Sequence, residues 1–111
     1  ELILASKPGL EPQQVFSSGG GSKSPLWRQI QADIFGLPVK TLTGAAEGGA
    51  FGGAVVAGVG AGIWTDIVEA AGNLKEETVT MPIESNTAKY DRIFKVYKGL
   101  YKDLKDRFKQ L

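Results

Sequence analysis

A chain of 111 residues supports one hydrophobic core, so a self-contained two-lobed enzyme is excluded at the outset. With neither cysteine nor histidine, disulfide frameworks, thiol nucleophiles, Cys/His zinc sites and histidine-based triads all fall away. Hydrophobic residues at 42% and charged residues at 23% are globular values, and a net charge of +1 supplies no bulk field for nucleic acid.

Glu1 to Ser6 reads as the end of a helix, stopped by Lys7-Pro8-Gly9. The first residue is Glu and no basic-then-apolar leader opens the chain, so a fragment is an open reading. Gln13 to Ser18 is short and β-compatible and ends at three glycines, predicting a strand that runs into a tight turn. Ser24 and Pro25 form an N-cap and first-turn pair. Leu26, Trp27, Ile30 and Ile34 then recur at helical spacing until Gly36 supplies the stop. Val39 to Leu42 predicts a second strand, which makes a β-α-β unit and points to an α/β class.

Gly44 to Trp64 carries Glu47 as its one charge and holds eight of the 15 glycines. A membrane span is one reading. A helix over 46–64 whose small residues admit a close neighbour is preferred, because the apolarity comes from Gly and Ala and no basic cluster flanks it. Thr65 is placed to cap a short helix from Asp66 to Ala71, ended by Gly72-Asn73. Glu76 to Ile83 reads as extended, with Pro82 confining it to an edge or a loop. Residues 86–111 place Tyr90, Ile93, Phe94, Tyr97, Leu100, Tyr101, Leu104, Phe108 and Leu111 on one stripe of a long amphipathic helix. That helix holds eight of the 13 basic residues and three of the 12 acids, so it carries +5 and the remainder −4. Its Lys face reads as the solvated side of a docking helix, ahead of a membrane-surface or nucleic-acid role.

Gly19, Gly20, Gly21, Ser22, Lys23 and Ser24 form the one segment with the makings of a ligand site: a glycine turn that leaves a strand and enters a helix N-terminus. Missing side chains let a ligand meet the main chain, and the free N–H groups and helix dipole favour anionic or electron-rich groups there. The spacing matches neither GxGxxG nor GxxxxGK[ST], so on spacing alone a flexible loop before a capped helix stands level with a nucleotide site.

Read whole, Gly19 to Gly36 closely resembles the adenosine-side motif of the FGGY carbohydrate kinases, its xylulokinase branch above all, and less the glycerol kinases with their Asn-rich helix start. The likeness continues through Glu47-Gly48-Gly49-Ala50-Phe51-Gly52-Gly53 to Trp64 and on to a Tyr-rich closing helix, covering essentially the whole chain. The resemblance implies an α/β piece, 1–111, of the C-terminal, nucleotide-side lobe of an actin-like (ribonuclease H-like) sugar kinase. Its parts would be a strand–turn–helix unit at 13–36, a Gly/Ala helix at 46–64 and a closing helix at 86–111. It implies ATP as cofactor, with Gly20 and Gly21 approaching the adenosine and α-phosphate, Ser24 at the helix start, and Gly19, Ser22 and Lys23 completing the turn. Lys23 is expected to face solvent more than phosphate, and Trp27 to pack in the core more than line the pocket. Arg28 and Asp33 are expected at the surface or behind the site, and Glu47 to cap the glycine-rich helix or bond nearby backbone.

In the resembled family the catalytic carboxylate, the Mg²⁺-organising acids and the β,γ-phosphate loops lie upstream, so no catalytic residue and no metal ligand is expected here. The implied partners are ATP/ADP and a sugar, reached through a further N-terminal lobe, in the cytoplasm, with no nucleic acid and no membrane; a homo-oligomer is compatible. The rival readings are a gluconate, ribulose or glycerol kinase, or a non-catalytic nucleotide-binding module of the same fold.

Overall fold

The computed structural model describes residues 9–110; the helix end expected at Glu1–Ser6 lies outside them. Three strands form one sheet in the order β1-β2-β3: β1 is Val15–Phe16, β2 Val39–Leu42 and β3 Glu76–Thr80. β1 and β2 run parallel with Val15 opposite Val39, and β3 returns antiparallel with Val39 opposite Thr80. Parallel neighbours need a crossover, supplied here by helix α1 (Pro25–Phe35). Val39 is fully buried at the centre of the sheet, and Thr41 beside it is also buried, its hydroxyl 2.7 Å from that of Thr78.

Helix α1 forms as its sequence dictates. The Ser24 hydroxyl accepts the Trp27 N–H at 3.2 Å, Pro25 occupies the first turn, and Gly36 takes the left-handed conformation at φ 64° to end the helix. The other elements differ from expectation in instructive ways. The glycine-rich helix α2 spans Gly49–Gly60, shorter than 46–64, because turns occupy residues 43–48 and Gly62 adopts φ 78°. Its N-cap is Gly48, with no side-chain cap from Glu47. Two glycines of this stretch lie against aromatic rings of the same stretch: a Cβ on Gly58 would stand 2.5 Å from the Trp64 ring, and one on Gly44 would overlap Phe51. Gly49, Gly52, Gly53 and Gly60 face no atom within 4 Å that a Cβ would meet.

Helix α3 (Ile67–Gly72) is capped by Asp66, not Thr65: the Asp66 carboxylate accepts the N–H groups of Val68 and Glu69 at 2.9 Å. Thr65 instead donates its hydroxyl and its N–H to Glu69 at 2.7 Å, holding that carboxyl below its ordinary value. Helix α4 (Glu84–Phe108) starts two residues before Asn86. It packs on α1 and has no buried residue of its own. Along its stripe Phe94 and Tyr97 stack with centroids 6.1 Å apart, and Ile93, Tyr97 and Tyr101 are exposed.

Buried apolar residues among those described are only Ala32, Val39 and Ala70. The radius of gyration is 18.4 Å, against about 13 Å for a compact domain of this length. The sheet therefore organises the turn and α1, while α2 and α4 extend from it with most of their apolar surface open.

Candidate functional site: the glycine turn and its cleft

Ser17, buried at the end of β1, donates its N–H to the Lys40 carbonyl at 2.8 Å, so the sheet fixes where the chain leaves it. Gly19 then adopts φ 80° with extended ψ, a conformation that favours glycine, and its N–H donates to the Ala45 carbonyl at 2.6 Å. Gly20–Lys23 close a single 3-10 turn that runs directly into the Ser24 cap of α1. The first N–H groups of such a turn, those of Gly20 and Gly21, have no acceptor within it and are the donors available to a ligand.

Each of the six expected residues has a definite place. Gly20 meets open space, whereas Gly21 lies under the Trp27 indole: a Cβ there would stand 3.1 Å from Cδ1. Trp27 is 49% exposed, so it is a cover on the turn and not a core residue. Ser22 is buried, its N–H donating to the Gly19 carbonyl at 3.0 Å and its carbonyl accepting from Arg28. Lys23 extends toward Glu47 at 3.9 Å, both side chains largely exposed. Ser24 uses its hydroxyl as the helix cap and donates its N–H to the Gly21 carbonyl at 3.0 Å.

Beside the turn lies a polar cleft of about 430 Å³, lined by Ser22, Lys23 and Arg28 on one side and Ala45, Glu47 and Glu77 on the other. A smaller, apolar hollow on the far side is formed by Ser18, Gly48, Phe51 and Leu74. The Gly48 backbone approaches Gly19 closely enough that a Cβ on Gly48 would be 3.7 Å from the Gly19 nitrogen. Main chain thus meets main chain here, and glycine is favoured at both positions by the backbone itself, at φ 80° for Gly19 and φ 54° for Gly48. No group of three or more acidic side chains that could hold a metal ion occurs among the described residues. None of their helices is long and apolar enough to cross a membrane.

Of the two places expected for Asp33 and Arg28, at the surface or behind the site, both residues take the second. Asp33 is 3% exposed and accepts from the Gln29 amide at 2.8 Å, the Ile83 N–H at 2.7 Å and the Asn86 amide at 2.9 Å. Burial opposes its charge, and the three donors outweigh burial, so its carboxyl lies below its ordinary value. Arg28 is half-buried and tied to the turn through the Ser22 carbonyl. Asp33's partners Ile83 and Asn86 lie 50 and 53 residues further along the chain, so no local pattern announces them. Arg28, four residues after the cap, did carry a signal: that spacing returns its side chain over the turn.

The glycine turn feeds a capped helix between two parallel strands, with a third strand returning antiparallel, and solved sugar kinases share this arrangement. Xylulose kinase of Lactobacillus acidophilus superposes with a TM-score of 0.73 over 88% of this chain and 20% of its own, at 26% identity. Gluconate kinase of the same organism gives 0.70 over 86% and 19%, at 25% identity. This is the α/β, actin-like and ribonuclease H-like fold. The chain belongs to the FGGY family of carbohydrate kinases, whose C-terminal domain matches residues 2–61. Xylulose kinase of Staphylococcus epidermidis is 36% identical over 106 residues, which are 94% of this chain and 21% of that protein. The chain spans about a fifth of the length of the curated relatives it matches.

Proposed function

We propose that this chain is the nucleotide-side part of an ATP-dependent sugar kinase that phosphorylates D-xylulose to D-xylulose 5-phosphate. The carrying observation is the turn itself. Gly19, held by Ala45, leads into exposed Gly20 and Gly21, whose N–H groups have no acceptor within the turn, just before a capped helix. Such a turn offers backbone donors, a positive helix terminus and no side chains, which suits the ribose and α-phosphate of an adenine nucleotide. The polar cleft beside Ser22 and Lys23 has room for part of such a ligand.

In this reading the chain binds and orients; it does not transfer the phosphoryl group. No residue at the turn is a general base: Lys23 is a solvated cation near Glu47, and the Asp33 carboxylate is buried and fully engaged with donors. The hydroxyl-activating carboxylate, the Mg²⁺-organising acids and the sugar pocket are assigned to the rest of a longer kinase, acting in the cytoplasm. The isolated 111-residue chain is therefore inactive.

D-xylulose is favoured over other sugars because xylulose kinases recur among both the sequence relatives and the structural neighbours. The test is steady-state kinetics of the full-length kinase with ATP and Mg²⁺ against D-xylulose, gluconate, ribulose and glycerol. The highest kcat/KM with D-xylulose supports the assignment; a clear preference for gluconate transfers it to that branch, and no turnover with any sugar removes the kinase reading.

A further inference from the structure

Arg28 lies behind the glycine turn, half-buried. It starts the second turn of α1, and its N–H donates to the Ser24 carbonyl at 3.1 Å while its guanidinium Nη1 donates to the Ser22 carbonyl. One residue thus holds the turn through Ser22 with its side chain and the helix cap through Ser24 with its main chain. Its guanidinium Nε is buried without a partner among the described residues, so the group is held by the Ser22 contact and the walls of the cleft.

The consequence is geometric. A peptide group is planar and trans, so its carbonyl and its N–H point in opposite directions. Fixing the Ser22 carbonyl toward Arg28 fixes the plane of the Ser22–Lys23 peptide, and with it the closing end of the 3-10 turn. Three consecutive glycines precede that end and supply no side-chain restraint of their own, so an unrestrained turn would sample many backbone states.

We propose that Arg28 is a positioning residue: through the Ser22 carbonyl it sets the backbone of the turn that presents the Gly20 and Gly21 N–H groups to the nucleotide. This rests on the reading of the turn as the adenosine seat. The step asks no chemistry of Arg28, only that a charged donor remain on one carbonyl, an interaction whose loss costs roughly tenfold or more in the property that depends on it.

The experiment is steady-state kinetics of the full-length kinase with Arg28→Met and Arg28→Lys, each titrated separately in ATP and in sugar, with thermal unfolding measured alongside. Arg28→Met is expected to raise the KM for ATP about tenfold while kcat and the sugar KM stay within about twofold. Arg28→Lys, which keeps a charged donor of different reach, is expected to recover part of that loss. A parallel fall in kcat, sugar affinity and melting temperature would show a structural role alone and overturn the proposal, as would an unchanged KM for ATP. Gly20→Ala separates the underlying reading: if it weakens ATP and Arg28→Met does not, the seat stands and the positioning role fails; if neither does, the seat itself is wrong.

Discussion

The carboxylate of Asp33 accepts the backbone N–H of Ile83 at 2.7 Å, joining the helix that leaves the glycine turn to the corner where the long C-terminal helix begins. Ile83 is the N-cap of that helix and has no side-chain cap of its own. The long helix starts at Glu84 because a residue 50 positions earlier holds the N–H that precedes it. The Asn86 amide, on the same Asp33 carboxylate at 2.9 Å, pins the first turn. Helices α1 and α4 are therefore coupled through one buried carboxylate.

Removing that charge should loosen both. Asp33→Ala leaves the Ile83 N–H and two amides without their acceptor, and a loss of about 2–3 kcal/mol is expected in urea unfolding of the full-length protein. Asp33→Asn, which keeps an acceptor but points an NH₂ at existing donors, should cost less.

The same carboxylate predicts a pH dependence. Its folded pKa is depressed, so its contribution is complete above the unfolded value of about 3.9 and is lost as pH falls through the lower folded value. The stability difference between wild type and Asp33→Asn should stay constant from neutral pH to about pH 5 and shrink below it. Urea midpoints collected across that range check it; a difference that grows on acidification would contradict the assigned direction.

Gly20 and Gly21 should respond differently to the same added methyl group. Gly20 faces open space at an ordinary φ, so Gly20→Ala should leave stability within about 0.5 kcal/mol while obstructing a ligand, raising the KM for ATP on the order of tenfold. At Gly21 the new Cβ meets Trp27 at 3.1 Å, so Gly21→Ala should also displace the indole. Tryptophan fluorescence of the unliganded protein distinguishes them: unchanged for Gly20→Ala, altered for Gly21→Ala.

Gly58 is buried against the Trp64 ring. Gly58→Ala should destabilise by about 1–3 kcal/mol through overpacking, and Trp64→Leu in the same chain should return part of that cost. A double-mutant cycle in urea measures the coupling.

The open faces of α1 and α4 also make a prediction. Ile34, Phe35, Tyr90, Ile93, Phe94 and Tyr97 line an apolar groove of about 530 Å³. The isolated chain, which leaves that groove uncovered, should self-associate in a concentration-dependent way in sedimentation velocity.

What could be read from the sequence follows the range of the interactions. Helix α1 was legible end to end because Ser24, Pro25 and Gly36 act on their own neighbours, and the two parallel strands followed from the apolar runs on either side of it. The extent of α2 was not, because glycine permits helix and turn alike and the choice at residues 43–48 depends on Phe51 folding over Gly44. The α3 cap moved from Thr65 to Asp66 because the two adjacent capping residues share one helix start, and Thr65 finds its partner in Glu69 instead. The six turn residues were legible as a segment, but not their division of labour. Ser24 was legible as the cap, but that Ser22 turns inward depends on Arg28, and that Gly21 is covered depends on Trp27, whose side chains fold back from the helix.

The measurement that bears most directly on the central claim is an amide NMR titration of the ¹⁵N-glycine-labelled full-length kinase with Mg·ADP. The account predicts saturable shifts of the Gly20 and Gly21 amides, with Gly49, Gly52 and Gly53 of the glycine-rich helix less affected. Saturable binding that leaves Gly20 and Gly21 unmoved would contradict it, because the nucleotide would then be seated elsewhere.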